Sequence, residues 1–187
     1  MSEQQDQGAD RRAFLGLVAG SGLMASTAQA APPAPASALP LDLVFSARIE
    51  VGKPVEQGMV DGRRQRFIPI TGGTVSGPKL KGIVLPVGGD WQTILPGGLT
   101  QILARYALQA EDGTVISITN PGVRTATAEV VERLSKGEDV DPSLYYFRTT
   151  PVFEVASGPY DWMRRHVFIG RGIRRPDHVL MEVYQVG

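Results

Sequence analysis

The stretch "VLPVGGDWQTILPGG", residues 84–98, sets a carboxylate and an indole, Asp90 and Trp91, between two glycine doublets. A carboxyl group desolvated by an aromatic neighbour holds its proton to higher pH, and can then serve as a general acid or base. The plainer reading is an Asx-type turn, with Trp91 plugging one end of the core. Three further clusters carry comparable chemistry. In "GRRQRF", from Gly62, Arg64 and Arg66 share one strand face and Arg63 the other; they form either an anion clamp or a charged edge strand. In "ARYAL", Arg105 and Tyr106 point to opposite faces, so at most one of them faces a lumen. In "DPSLYYFRTTPVFE", Tyr145, Tyr146, Phe147, Arg148 and Glu154 set aromatics beside a cation and an acid. That is the wall a partly apolar carboxylate ligand needs, or else core aromatics with a surface Arg148–Glu154 pair.

Other chemistries lack their residues. The 187-residue chain has no cysteine, which removes disulfides, thiolate metal sites and thiol nucleophiles. Its two histidines, His166 and His178, sit in no HExxH pattern and near no matching acid cluster, so no metal site is expected. There is no GxxxxGK[ST] loop, no GxGxxG opening a helix and no GxSxG elbow, and no cofactor is expected. A net charge of +0 supplies no field for nucleic acid or an anionic membrane. Arginine far outnumbers lysine, which suits fixed ion pairs or a bound anion.

Strands must position these residues. Leu41, Leu43, Phe45, Ala47, Ile49 and Val51 alternate with polar residues, a half-buried strand. Short runs closed by turn residues follow: "RRQRFIPITGG", "KLKGIVLPVGG", "WQTILPGG", "LTQILARYALQAEDG" and "GTVISITNPG". Asp112-Gly113 predicts a hairpin with both turn residues at positive φ, and Asn120-Pro121-Gly122 predicts the end of the next strand. "TATAEVVERLSKG" predicts one short helix near residues 125–136, capped by Thr125 or Thr127, with a Glu129–Arg133 pair and Gly137 past its end. "YYFRTTPVFEVA", "WMRRHVFIGRG" and "HVLMEVYQV" resume the strands. The pattern predicts an all-β fold, a single antiparallel β-barrel over residues 41–187.

The N-terminus reads as an address. Arg11-Arg12, a Gly- and Ala-rich apolar run and Ala28-Gln29-Ala30 follow the order of a twin-arginine export signal, with cleavage after Ala30. The run is too short and glycine-rich for a membrane span, so a periplasmic or otherwise exported protein without a stable membrane anchor is expected. Residues 31–40, "APPAPASALP", form a Pro/Ala-rich spacer.

Four segments in order resemble one family: "GRRQRFIPITGGTVSGPKLKGIVLPVGGDWQ", "ARYALQAEDGTVISITNPGVR", "DVDPSLYYFRTTPVFE" and "YDWMRRHVFIGRG". They are similar to domain of unknown function 3237. The resemblance implies a small, broadly calycin-like β-barrel and no established activity. Gly62, Arg63, Asp90, Trp91, Arg105, Tyr106, Tyr145 and Arg148 match its pattern, whereas Leu103 stands where the family often has an acid.

The expectation is a barrel that binds a small, partly aromatic, anionic metabolite. Asp90 is the candidate catalytic acid or base, for isomerase- or lyase-type chemistry. Arg63, Arg105 and Arg148 would hold the anion, with Trp91, Tyr106 and Tyr145 as walls. Two alternatives stay open: a non-catalytic ligand carrier, and a structural barrel whose interior its own side chains fill.

Overall fold

The computed structural model describes residues 38–187. The export signal expected over residues 1–30 lies outside the described residues, as do residues 31–37 of the spacer. Eleven strands form: β1 (Leu41–Val51), β2 (Val55–Val60), β3 (Arg63–Ser76), β4 (Gly82–Val84), β5 (Gly89–Ile94), β6 (Leu99–Ala110), β7 (Val115–Ala126), β8 (Tyr145–Thr149), β9 (Val152–Val155), β10 (Phe168–Arg174) and β11 (His178–Val186). Every pairing is antiparallel. Eight strands close a ring in the order β1, β3, β5, β6, β7, β8, β10, β11 and back to β1. This is the all-β barrel that the strand pattern predicts. Its shortest link is β8–β10, with only Gly170↔Thr149 and Arg171↔Arg148 in register. β2, β4 and β9 extend the wall by pairing with β3, with β3 and β6, and with β7 respectively.

Alternation along each wall strand sends one set of side chains inward. At one end of the lumen these are apolar and fully buried: Phe45, Leu108, Ile116, Phe168 and Val183. Phe153 packs edge-on against Phe45 and Phe168, with ring centroids 6.2 and 4.9 Å apart. A short 3-10 turn, Asp161–Arg165, brings Met163 into the same cluster. The inward positions at the other end mix aliphatic side chains with a few polar ones, and they form the candidate site.

Several local expectations are corrected. Asn120-Pro121-Gly122 does not end a strand; β7 runs through it to Ala126. On one side β7 pairs with β6 throughout, while on the other it changes partner from β9 (residues 116–119) to β8 (residues 122–126). Pro121 sits at that changeover, where no ladder requires the N–H it lacks. In β1, a bulge between Leu43 and Phe45 shifts the phase, so Leu41 and Leu43 are exposed while Phe45, Ala47 and Ile49 are buried.

Asp112-Gly113 lies in a longer turn in which only Gly113 has positive φ, and Asp112 Oδ1 accepts from the Thr114 amide at 2.9 Å. The two-residue turn with both φ positive is Asp61-Gly62 (φ 50° and 75°), joining β2 to β3. The segment 161–165 is the 3-10 turn rather than the start of a strand.

The expected helix is present as α1 (Ala128–Ser135), with Thr127 at its N-cap accepting from the Val130 amide. Gly137 (φ 79°) ends it: the Gly137 amide donates to Leu134 O and the Glu138 amide to Arg133 O, a Schellman pattern. Arg133 pairs with Glu138 at 2.9 Å rather than with Glu129, because the reversed chain brings Glu138 back beside it. Val130 and Leu134 are buried, and Arg175 and Asp139 form an ion pair at 2.7 Å that ties the β10–β11 turn to the segment after α1.

Candidate functional site: a cavity inside the barrel

Three wall rows build the site, each read across neighbouring strands in register. Ile68, Asp90, Ala104 and Asn120 form the first. Arg66, Gln92, Ile102, Gly122 and Thr149 form the second. Ile94, Thr100, Arg124 and Phe147 form the third. Between them and the facing β1, β10 and β11 lies a small cavity with an open mouth. Its walls are mainly aliphatic, with Asp90, Gln92, Tyr106, Asn120, Arg124, Thr149 and Arg174 supplying the polar groups. An apolar pocket with a few convergent polar groups is the usual form of a small-molecule site.

Two inward glycines keep this wall thin. A Cβ on Gly172 would lie 2.5 Å from the Phe147 ring, and one on Gly170 would lie 2.1 Å from Thr149 Oγ1. The side chains of Phe147 and Thr149 occupy the space those glycines leave.

The polar groups form a directed chain. Arg66 Nε donates to Gln92 Oε1 at 2.8 Å, and Gln92 Nε2 donates to Asp90 Oδ2. Asp90 is part-buried as a residue, but its Oδ1 is shielded from solvent and has no hydrogen-bond partner. Burial raises the Asp90 pKa above the usual carboxylate range; the Gln92 hydrogen bond, the Arg124 and Arg66 charges and the Leu103 amide oppose that rise. Burial also raises the Tyr106 pKa, against a hydrogen bond from Asn120, so the phenol keeps its proton.

Two arginines, Arg124 and Arg174, line the cavity, and a third, Arg66, is buried against Gln92. Burial lowers the pKa of Arg124 to about 10, with the Arg66 charge adding to the effect, and burial likewise lowers those of Arg66 and Arg174. None of the three has a carboxylate within ion-pair distance among the described residues. Arg174 donates to His178 O at 3.2 Å, while its own amide donates to the Tyr145 hydroxyl at 2.9 Å. Arg124 lies over the Phe147 ring at 5.9 Å, and its Nε is buried without a partner. Buried polar atoms are nearly always paired, so unpaired ones on Asp90, Asn120 and Arg124, all lining one cavity, mark a place built to meet something else. Among the described residues no three His, Asp or Glu side chains converge as metal ligands would.

The residues singled out from sequence divide between the two faces of the wall. Asp90 and Tyr106 line the cavity, and Tyr145 is buried behind Arg174. Asp90 stands in β5 and not in a turn. Trp91, next to it, points outward against Phe67 with centroids 4.8 Å apart, and plugs no end of the barrel. Arg105 is exposed on the outer face. Arg148 also stays outside, 5.0 Å over the Tyr146 ring and donating to Phe147 O, without a Glu154 partner. Arg63 is exposed beside Asp61 at the β2–β3 turn. Leu103 is outward too, paired with Trp91 and Pro121, so an acid at that position would stand outside the cavity. Arg66, Gln92, Asn120, Arg124 and Arg174 complete the site. For Arg66 and Arg124 the signal was phase: Arg66 shares a strand face with Ile68 and Ile70, and Arg124 with Ile116, Ile118 and Asn120.

The comparisons agree with this fold and extend along the whole described chain. A UPF0311 protein of Clostridium acetobutylicum is 46% identical over 145 residues, covering 76% of this chain and 91% of its own. The crystal structure of RPA1785, a conserved protein of unknown function from Rhodopseudomonas palustris, superposes with a TM-score of 0.77 at 37% identity, covering 81% of this chain and all of that one. A β-barrel-like protein from Acinetobacter baumannii superposes with a TM-score of 0.70 at 35% identity, covering 85% of this chain and all of its own. The model of the family described as protein of unknown function DUF3237 matches residues 39–186, and the chain belongs to that family.

Proposed function

We propose that the barrel cavity binds a compact, partly apolar, anionic metabolite, and that Asp90 exchanges a proton with it. The observation that carries the reading is that Arg124 and Arg174, which line the cavity, and Arg66, buried against Gln92, have no carboxylate partner, while one aspartate oxygen of the same cavity is shielded and unpaired. A buried cation without a counter-charge is costly, and an anionic ligand removes that cost on binding. Arg124, with its unpaired Nε, is the principal anion contact; Arg66 and Arg174 add field. Asp90 accepts or returns a proton beside the bound anion, and the protonated Tyr106 hydroxyl is a hydrogen-bond donor for oxygen charge that develops there. These residues suit isomerisation, elimination or hydration next to an acidic group. The twin-arginine pattern at Arg11-Arg12 supports export as the setting.

The test compares wild type with Asp90→Asn against a metabolite mixture, following consumption and melting temperature together. Turnover that Asp90→Asn abolishes supports the acid–base role. Turnover that survives Asp90→Asn removes that role. Ligand-dependent stabilisation without any turnover favours a carrier, since a ligand that prefers the folded state raises apparent stability.

A further inference from the structure

We infer that the ligand of this cavity is a hydroxy acid, with its hydroxyl on Asp90 Oδ1 and its anionic oxygen on Arg124 Nε. The inference rests on the reading of the cavity as an anion site, and goes on to specify the second polar group of the ligand.

Arg66 fixes the orientation of the polar chain. A guanidinium only donates, so the Gln92 atom facing Arg66 Nε at 2.8 Å is the amide oxygen. That orientation leaves Gln92 Nε2 facing Asp90, and an amide nitrogen also only donates. Asp90 Oδ2 is therefore an acceptor, the role that the carbonyl oxygen of a neutral carboxyl fills better than its hydroxyl oxygen does. A proton that Asp90 holds is thus better placed on Oδ1, the oxygen that is shielded from solvent and unpartnered. Oδ1 therefore accepts when Asp90 is ionised and donates when it is neutral. No protein side chain is hydrogen-bonded to it.

Of the common groups that stand beside a carboxylate in a metabolite, only a hydroxyl fits both states. A carbonyl oxygen pairs with the neutral acid but faces the carboxylate lone pair to lone pair. An ammonium pairs with the carboxylate but would enter a cavity already lined by Arg124 and Arg174, with Arg66 buried against the lining residue Gln92, none of the three in an ion pair. A C–H satisfies nothing. The hydroxyl donates to the carboxylate and accepts from the neutral acid. Arg124, whose charge and that of Asp90 act on each other, is the remaining unpaired donor and takes the anionic oxygen.

Matched probes test this by titration calorimetry on the folded protein: mandelate, phenylacetate and phenylglycine as one series, and lactate, propionate and alanine as a smaller one. The expected order is hydroxy acid over deoxy acid by roughly tenfold or more, the cost of leaving a buried charged acceptor unpaired, with no measurable amino-acid binding. Asp90→Leu closes the gap between hydroxy and deoxy acid, and Arg124→Gln abolishes binding of both while its thermal melt reports a folded protein. Asp90→Asn supplies a gain: the same chain from Arg66 aims its amide nitrogen at the ligand, so phenylglyoxylate should bind the variant more tightly than it binds wild type. Deoxy acids binding as well as hydroxy acids would overturn the inference and leave the anion site standing. Amino acids binding best would overturn it as well. If no acid of either series binds the wild type, the inference and the anion site fall together.

Discussion

Asp90 and Arg124 face the same cavity, and each keeps one polar atom, Oδ1 and Nε respectively, buried and unpaired. Opposite charges in one cavity would ordinarily pair and be satisfied. Here each is left available, which is a cost to the empty protein and a resource for a bound one.

The first prediction follows from that cost. Arg124→Met keeps the length of the side chain and removes the unpaired buried charge. The apo protein should gain stability, on the order of 1 kcal/mol or more, while binding of anionic ligands is lost. Urea unfolding of the two proteins checks it; a clearly destabilised Arg124→Met would show that the Arg124 charge already has its partner.

The second concerns pH. The folded-state pKa of Asp90 is raised by burial, so its protonated form is the one favoured by folding. Its contribution is fully present below the ordinary aspartate pKa, about 4, and is lost as pH rises through the raised value. Asp90→Asn has no such titration. The melting temperature of wild type minus that of Asp90→Asn should therefore fall as pH rises above about 4. A difference that is flat or rises there would contradict the burial argument.

How much of this was legible in the chain depends on what phase can carry. Alternation sorted Arg105 from Tyr106 onto opposite faces, and the structure has them so. It could not decide which face is inward, because a slip of one residue reverses every side chain. Nor does phase give depth. Arg64 and Arg66 share a face, yet Arg64 is at the rim bonded to Glu56 at 2.8 Å, and Arg66 is buried at Gln92. Arg124 was hidden for a different reason. Asn120-Pro121-Gly122 reads locally as a stop, and only the exchange of β9 for β8 along β7 shows why a proline can stand mid-strand. Gln92 carries no local signal at all; its meaning comes from a partner 26 positions away.

The third prediction separates the two faces. Arg105→Ala, Arg148→Ala and Trp91→Ala change exposed or half-exposed outer side chains and should leave ligand binding within about twofold of wild type. Their stability costs should stay near or below about 1 kcal/mol, Trp91 costing most through its contact with Phe67. Tyr106→Phe and Gln92→Leu change the inner face and should weaken binding or turnover at least tenfold, roughly the value of one buried hydrogen bond to a charged group. Equal effects on the two faces would mean the ligand sits elsewhere.

The fourth tests the thin part of the wall. Gly172→Ala puts a methyl group into the Phe147 ring, where the ideal position is 2.5 Å from ring carbons. The backbone there has no positive φ, so the effect is one of space alone. The expected loss is roughly 1–3 kcal/mol in stability, with Phe147 displaced toward the cavity. Gly172→Ala with Phe147→Leu should recover part of it; a double variant no better than the single would point to a different clash.

The join between β8 and β10 has a mechanical consequence. A closed ring of strands has no free edge for another chain to extend, but it is only as stiff as its shortest ladder. Two residue pairs hold that join, whereas β6 and β7 share eleven from Leu99↔Thr125 to Gln109↔Val115. When the barrel yields, it should part there first, with the main-chain amides of residues 148–149 and 170–171 exchanging with solvent before those of β6 and β7. The inward residues on either side of that slit, Phe147, Thr149 and Arg174, belong to the cavity wall. The same short seam that completes the cylinder is thus also its hinge line.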